Sequence, residues 1–524
     1  MIPTLRKIKH LYAQRLAALA TVAMLSIGCT PDLSESADGD LAGKTEAFDD
    51  GVSRALGMIH PDLLAPSHRT FRSDLRAAQV NPARGFASSW WPMQANGIAF
   101  RWSALPADLD EGDLTSWSSL SALTDWRGHE ADWSATERYD QLSYAEDRDV
   151  LAYCDGRMIG SDGKTIAIRR DAIARAVAGE TIFCQTWPLA EWGRRGPTGW
   201  PTGRGIKRPL VTAIGPTTAW ELGDHGIYRG QSAERWFGHC YGWAAYATGE
   251  PLGFPTRAIT VRLDETGALR ECPDPNQAGC VHFRRADIEA LMTELYNSAQ
   301  VSRVGERCNT ADPKDNRYGR IREAACRDMN PGAFHIMLQG LIGIGVGEPR
   351  KTMPFAIDID AEREVWSHPV IGYRIDEAEA VDQTTALRLI GKKHGKRYKF
   401  NRKAKRLIKV LGSFEYVSDE LNLEHMRLSA DVRTAYYRRQ RLMAYILELD
   451  GNDQIVGGEW ISHPLSTVPY GSKHDHPDFA WVVRELGAGV SSLTNPLLDR
   501  QRVRALLRCA NAPESCAPPA QTTP

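Results

Sequence analysis

The sequence lacks a surplus of charge of either sign. Its 524 residues include 64 Lys and Arg against 65 Asp and Glu, which gives a formal net charge of −1. A nucleic-acid-binding protein would carry a strong basic excess, so the near balance argues against that class and no nucleic-acid partner is expected. With 42% hydrophobic and 25% charged residues, the composition is that of a folded globular protein rather than a disordered one.

A second long apolar run is also missing, which argues against a polytopic membrane protein. The run at 16–27 follows a basic segment and is too short for a permanent membrane span, so it is typical of a signal peptide. It ends at Gly28-Cys29, a pattern like the bacterial lipobox, in which Cys29 would carry the lipid. The sequence therefore predicts export and lipid anchoring in a bacterial envelope. Because Thr30 offers no acidic retention signal, the outer membrane is the expected location, and a secreted protein with an ordinary signal peptide is the alternative.

The segment after the signal peptide is small, polar and acidic up to Asp50, which predicts a disordered tether. We expect the chain to divide into four parts: a lipoprotein signal peptide at 1–28, a tether and N-terminal segment at 29–85, a catalytic domain at 86–490, and a C-terminal helix and tail at 491–524.

Ten cysteines occur in the sequence, and setting Cys29 aside leaves an odd number, so one free thiol is predicted. Cys240 has no near neighbour among them and is therefore the candidate nucleophile. The other eight fall into close pairs, as expected of disulfides in an oxidising compartment. The predicted disulfides are Cys154–Cys184, Cys272–Cys280, Cys308–Cys326 and Cys509–Cys516.

The hydrophobic patterns predict an α+β fold. Helices are predicted at 240–247, 286–297, 330–343 and from 495 toward 508, strands at 97–102, 210–214 and 355–360, and a β-hairpin joining 443–449 to 454–460. Because strand side chains alternate, Asp358 and Asp360 share one face of their strand.

Cys240 would begin a buried helix, where the helix dipole and free N–H groups stabilise a thiolate and can bind an oxyanion. Such a thiolate needs a histidine to move the proton and an acid to orient that histidine. His335 supplies the histidine, and Asp358 or Asp360 the acid; we prefer Asp358 because it lies in mid-strand. The order Cys, His, Asp is typical of papain-like and transglutaminase-like triads.

Four segments together resemble the transglutaminase elicitor family, named after secreted cell-wall transglutaminases of oomycete plant pathogens. The segments are Trp236-Phe237-Gly238-His239-Cys240; Phe334-His335-Ile336; Glu364 to Val370 with Gly372-Tyr373-Arg374; and Val456 to Trp460 followed by His476-Pro477-Asp478-Phe479. The resemblance implies a papain/transglutaminase-like cysteine acyltransferase core, to which β-hairpins and disulfide-tied loops are added.

The family resemblance implies acyl transfer from a protein glutamine to a primary amine such as lysine, through a thioester on Cys240. His335 would be the general acid/base, and Trp236 a possible oxyanion donor. No cofactor and no metal site are expected, although calcium is left open. Two alternatives are a thiol hydrolase of the same fold, acting as deamidase or peptidase, and a non-catalytic surface-binding lipoprotein.

Overall fold

The structure is a computed structural model. It describes residues 66–104, 130–187, 196, 199–212, 214–226, 237–274, 276–305, 307, 314, 326–345, 352–359, 365–391, 398–418, 425–466, 476–486 and 494–516. The predicted signal peptide, Cys29 and the predicted tether as far as residue 65 lie outside these residues. None of the helices in the described ranges has the length and apolar character needed to cross a membrane.

Helices and strands are mixed along the described chain, as expected of an α+β protein. The strands are β1 (Ala77–Gln79), β2 (Arg157–Ile159), β3 (Thr165–Ile166), β4 (Phe183–Thr186), β5 (Ile206–Pro209), β6 (Ile259–Leu263), β7 (Leu269–Glu271), β8 (Val281–Phe283), β9 (Ala299–Gly305), β10 (Phe355–Asp358), β11 (His368–Val381), β12 (Arg406–Val417), β13 (Arg438–Leu449), β14 (Ile455–Trp460) and β15 (Phe479–Leu486). The α-helices are α1 (Ala135–Ser143), α2 (Arg169–Val177), α3 (Pro216–Asp224), α4 (Cys240–Gly249), α5 (Arg285–Tyr296), α6 (Pro331–Met337), α7 (Gln383–Ile390), α8 (Ala430–Tyr437) and α9 (Arg500–Asn511).

The central sheet is antiparallel and has the strand order β14-β13-β12-β11-β10-β15-β9. β1 pairs with β11 next to the stretch that pairs with β10, so a segment N-terminal to residue 86 belongs to this sheet. Two smaller sheets have the orders β3-β2-β4-β5 and β7-β6-β8.

The central sheet is covered on both faces. Side chains of α4, α5 and α9 share one hydrophobic core, whereas α6 packs into a second core. β10 lies between the two: Ala356 belongs to the α4 core, and its neighbours Phe355 and Ile357 belong to the α6 core. Because side chains alternate along a strand, the next residue, Asp358, faces the α4 side with Ala356.

The sequence predicted the elements around α4 and β10 well. The helices at Cys240, at Arg285–Tyr296 and behind the Asn330 cap are confirmed, as are strand β10 and the β13–β14 hairpin. The last helix begins later than predicted, at Arg500, because Asp499 caps it by accepting from the Arg502 N–H.

Two predicted strands are wrong. The segment 97–102 forms 3-10 turns, because Asn96 and Gly97 have φ values of 77° and 56°, which reverse the chain direction. The segment 210–214 contributes a single bridge between Ile214 and Val150, and β5 ends at Pro209.

Three of the four predicted disulfides are present, namely Cys154–Cys184, Cys272–Cys280 and Cys509–Cys516. The predicted pair Cys308–Cys326 includes Cys308, which lies outside the described residues. Each confirmed bridge ties a short loop or helix end to a neighbouring segment.

Candidate active site

Cys240 is the first residue of α4, and its side chain is fully buried. The backbone just before Cys240 passes close to Trp90, which requires glycine at position 238, because a Cβ there would lie 2.3 Å from Cε3 of Trp90. The His239 N–H donates to the Trp90 carbonyl oxygen at 2.5 Å, which fixes the backbone just before the cysteine. The sulfur therefore lies at a helix N-terminus, where the helix dipole stabilises negative charge.

The structure corrects the prediction that Cys240 is a free thiol. Cys240 is disulfide-bonded, and its partner cysteine lies outside the described residues. None of the cysteines in the described ranges is free. The prediction rested on setting Cys29 aside as the lipid-bearing residue, which leaves an odd number of cysteines. A disulfide sulfur is not a thiolate, so Cys240 must be reduced before it can act as a nucleophile.

Asp358 is connected to Cys240 through one peptide unit. The Sγ atom of Cys240 lies 3.5 Å from the carbonyl oxygen of Val365, and the N–H of the same peptide, that of Trp366, donates to Oδ1 of Asp358 at 3.3 Å. Asp358 is 2% exposed, and the Trp366 ring packs edge-on against Trp90 with the centroids 5.7 Å apart. The structure therefore brings Cys240 and Asp358 to the same side of the sheet.

The structure does not bring His335 to this place. Its helix, α6, packs into the core on the opposite face of the sheet from α4. The Nδ1 atom of His335 lies 2.8 Å from the Tyr445 hydroxyl, and its ring packs 5.6 Å from that of Phe71. Burial lowers the pKa of His335 to about 3, so its imidazole is neutral at neutral pH. The triad of Cys240, His335 and Asp358 is therefore not assembled, because β10 separates the histidine from the cysteine.

Two other predicted site residues, Trp236 and Asp360, lie outside the described residues. His476, which belongs to one of the four family-like segments, contacts Asp328 at 3.1 Å and stacks on Trp460. Two residues further on, the Asp478 N–H donates to the carbonyl oxygen of Asp358 at 2.9 Å, so this segment runs beside the end of β10.

A buried cluster next to Cys240 was missed from the sequence. It consists of Glu221, His225, His239 and Glu294, all less than 5% exposed. The Nε2 atom of His239 lies 3.2 Å from Oε1 of Glu221, and its Nδ1 atom lies 3.2 Å from Oε2 of Glu294. The Nδ1 atom of His225 lies 3.4 Å from Oε2 of Glu221 and 3.7 Å from Oε2 of Glu294. We name this set the Glu/His cluster.

Three chain segments build the Glu/His cluster. Glu221 and His225 are four residues apart at the end of α3, so they lie on one helix face. Glu294 comes from α5, and His239 from the residue before α4. The spacing of Glu221 and His225 is visible in the sequence, but nothing in the sequence shows that α5 and His239 meet them.

The charges of the cluster act strongly on one another. Burial would lower the pKa of His239, but the hydrogen bonds and charges of Glu221 and Glu294 outweigh it and raise that pKa to about 10. Burial would likewise raise the pKa of Glu221, yet His225 and His239 hold it at about 2. As long as no metal ion is bound, these shifts favour an ionised Glu221 and a protonated His239 at neutral pH.

A model of a known protein family matches the second half of the chain. Residues 267–512 match the model of the family described as transglutaminase elicitor. Among solved structures, the chain is similar to the crystal structure of the GP42 transglutaminase from Phytophthora sojae, with 19% identity and a TM-score of 0.45, over 86% of this chain and 98% of that one. No curated protein matches the chain. The matched segment includes His335 and Asp358 and begins after Cys240, so the family model covers slightly less than half of the chain.

Proposed function

We propose that the chain is a protein-glutamine γ-glutamyltransferase with Cys240 as its nucleophile, held in a latent state by the disulfide of Cys240. One observation carries the proposal: a buried cysteine at a helix N-terminus is joined by a single peptide unit to a buried carboxylate on the neighbouring strand. The family of residues 267–512 supports acyl transfer as the reaction class and proteins as the class of substrate.

Activation comes first and needs a dithiol reductant. The reductant gives two hydrogens to the disulfide and is itself oxidised to a disulfide, which leaves Cys240 as a thiol. Ionisation of this thiol is favoured by the N-terminus of α4, because the free N–H groups and the helix dipole stabilise the thiolate. We place the core in the papain/transglutaminase-like class on the basis of this cysteine–helix arrangement.

Acyl transfer then takes place in two steps. The thiolate attacks the side-chain carboxamide carbon of a glutamine, the C–N bond breaks, and the nitrogen leaves as ammonia after taking up a proton. A lysine amine attacks the resulting thioester, loses a proton, and releases the thiolate, so that an isopeptide bond forms. The first-turn N–H groups of α4 are the proposed donors to the oxyanion of each tetrahedral intermediate, together with Trp236.

Asp358 acts in this proposal as a positioning residue. By accepting from the Trp366 N–H, it holds the peptide whose carbonyl oxygen faces the sulfur. His335 has no part in the proton transfer, because the central sheet lies between it and Cys240. Asp360 lies outside the described residues, and its role as the alternative acid stays a proposal. A calcium requirement likewise stays a proposal.

The oxidised state of Cys240 favours one alternative, a non-catalytic surface-binding lipoprotein that keeps the disulfide permanently. A deamidase or peptidase would use the same acyl-enzyme chemistry, with water in place of the amine. The three functions differ in the outcome of reduction: an isopeptide product, a hydrolysed product, or no chemistry.

The test is incorporation of a labelled primary amine into a glutamine-bearing protein such as casein, before and after treatment with dithiothreitol. We expect incorporation only after reduction, together with alkylation of Cys240 by iodoacetamide, which peptide mass spectrometry locates. Release of ammonia without amine incorporation would identify a hydrolase, and alkylation of Cys240 with no turnover at all would support the binding protein.

A matched control separates the effect on Cys240 from general loss of disulfides. The double variant Cys154→Ser, Cys184→Ser lacks a disulfide far from α4 and keeps Cys240. It should show the same dependence on reductant as the wild type. If removing this bridge alone produced activity without reductant, latency would not reside in Cys240.

As a separate proposal, Cys29 carries a lipid that anchors the protein to the bacterial envelope, at the outer membrane; a lipid-bearing sulfur forms no disulfide, so the anchored protein would have nine cysteines left for pairing and one free thiol. In this case the wild type partitions with membranes, and Cys29→Ser releases it into the soluble fraction or blocks its processing. Recovery of the wild type entirely as a soluble protein would contradict the anchor and leave the secreted alternative.

A further inference from the structure

The Glu/His cluster contains three buried polar atoms whose contacts are ion pairs of 3.2–3.4 Å within the cluster and not hydrogen bonds of good geometry. These atoms are Oε2 of Glu221, Nδ1 of His225 and Nε2 of His239. Buried polar atoms in proteins nearly always form hydrogen bonds, so three that do not, at one place, need an explanation. All three atoms converge on the same space between α3, α5 and the residue before α4.

The spacing of the cluster fits a bound metal ion. Tetrahedral ligands at about 2.0–2.1 Å from a zinc ion are about 3.3 Å from one another. One donor atom from each residue can be chosen so that all four lie within 4.8 Å of one another. Binding of an ion would have to draw the widest of these pairs together to reach coordination geometry, and it would use only one of the two ring nitrogens of His239.

The charge of the cluster also calls for a cation. Glu221 and Glu294 are both fully buried, and within the described residues neither pairs with a lysine or an arginine, so without a metal their counter-charge comes from the histidines of the cluster. A divalent cation would neutralise two buried carboxylates when both histidines are neutral ligands. Because imidazole nitrogens form half of the donor set, a first-row transition metal fits better than calcium, which prefers oxygen ligands.

Surrounding groups hold the donors in place, as is usual around metal ligands. The Ile98 N–H donates to Oε1 of Glu221 at 3.1 Å, and Nδ2 of Asn297 donates to Oε2 of Glu294 at 2.9 Å. Gly97 closes the space from the remaining side, since a Cβ there would lie 2.4 Å from Oε1 of Glu221 and 2.8 Å from Nε2 of His239.

We infer that Glu221, His225, His239 and Glu294 bind one divalent transition-metal ion, of the Zn²⁺ class, directly behind Cys240. The ion joins α3, α5 and the backbone that leads into α4, so its role is to fix the start of the cysteine-bearing helix. This inference does not depend on the transferase proposal, because metal binding is measured without any activity.

The experiment uses the tag-free chain, treated with a chelator and dialysed into metal-free buffer. We expect it to bind one equivalent of Zn²⁺ by calorimetry and elemental analysis, and its thermal midpoint to rise by several degrees with the metal. With Co²⁺ in place of Zn²⁺, the intense visible bands of four-coordinate cobalt should appear. Binding of less than a tenth of an equivalent, with no change in midpoint, would overturn the inference and leave a network of protons and ion pairs.

Variants test which residues bind the ion. His225→Gln and Glu221→Gln should each weaken Zn²⁺ binding at least tenfold, whereas His335→Gln, the matched buried histidine on the other face, should bind one equivalent as the wild type does. If the cluster variants bound Zn²⁺ as tightly as the control, the ion would belong elsewhere and the assignment would be wrong. Should a cluster variant fail to fold, the visible spectrum of the Co²⁺-loaded wild type tests the assignment instead. Weak bands of six-coordinate cobalt, as in water, would show that the cluster does not bind the ion.

Discussion

His239 and His335 are both buried histidines beside the central sheet, yet they lie on opposite sides of it and differ in charge. His239 lies between two carboxylates, and its pKa is raised to about 10. His335 lies among aromatic rings and beside a tyrosine hydroxyl, and its pKa is lowered to about 3. One residue type thus gives an imidazole that is charged, when no metal is bound, on the α4 side and a neutral packing group on the α6 side.

The difference shows that burial alone does not identify a functional histidine. Burial lowers the pKa of both rings, and only neighbouring carboxylates reverse that effect for His239. Chemistry-bearing residues therefore gather on the α4 side, with Cys240, Asp358 and the Glu/His cluster, while the α6 side is a hydrophobic core. Variants on the two sides should differ accordingly, most of all in catalysis and least in stability.

Cys240→Ala and His335→Gln should differ sharply in amine incorporation after reduction. Loss of the nucleophile should lower the rate by about 10³-fold or more, because no other group can form the thioester. His335→Gln should keep the rate within about threefold of the wild type in the same assay. If both variants folded and both lost amine incorporation to the same severe extent, His335 would have to be counted among the catalytic residues.

The stability of the protein should depend on His335 at acidic pH. Its folded-state pKa of about 3 lies below the ordinary value of 6.5, so the unfolded state binds the proton more readily between these values. The contribution to folding stability is complete above pH 6.5 and is lost as the pH falls toward 3, by up to about 5 kcal/mol. Urea unfolding from pH 7 to 4 should show this loss, and a smaller one in His335→Gln; identical pH profiles would rule it out.

Asp358→Ala should slow amine incorporation by about tenfold and lower the free energy of unfolding by about 1–3 kcal/mol, because the Trp366 N–H loses its buried acceptor. The effect should fall on kcat rather than KM, since Asp358 positions the sulfur's surroundings and does not bind substrate. Asp358→Asn retains an acceptor oxygen and should recover most of both losses. A loss in Asp358→Asn as large as in Asp358→Ala would show that the negative charge, not the hydrogen bond, is needed.

Tyr445→Phe should have the smallest effect. It removes the hydroxyl 2.8 Å from Nδ1 of His335 and should lower the free energy of unfolding by about 1 kcal/mol. Amine incorporation and Zn²⁺ binding should stay unchanged, because both sites lie on the other side of the sheet. A change in either would show that the two faces are coupled through β10.

The sequence predicted the elements of the α4 side but only part of the site. Cys240 at a helix start and Asp358 on a strand follow from local patterns, since a buried apolar run and strict alternation are readable within a few residues. His335 was misplaced because the order of residues along the chain does not tell which face of a sheet a later helix covers. The histidine motif on α6 is next to buried apolar residues, which was the signal for a packing role.

The Glu/His cluster, too, could not be predicted from the order of residues along the chain. Glu221 and His225 have the helical spacing of a shared face, but Glu294 and His239 join them only through tertiary packing. The failed strand at 97–102 belongs to this region too: positive φ values at Asn96 and Gly97 turn the chain so that it closes over Glu221 and His239. A period-2 pattern cannot show a turn of this kind.

The peptide between Val365 and Trp366 has a consequence for sequence variation. Its carbonyl oxygen and its N–H, not its side chains, connect Cys240 with Asp358. Many residue types at position 366 would preserve this connection, but proline would remove it, because proline has no N–H to donate. Homologous chains with the same site are therefore expected to vary in side chain at this position while excluding proline, and Trp366→Pro should disconnect the cysteine from its carboxylate even though both residues remain.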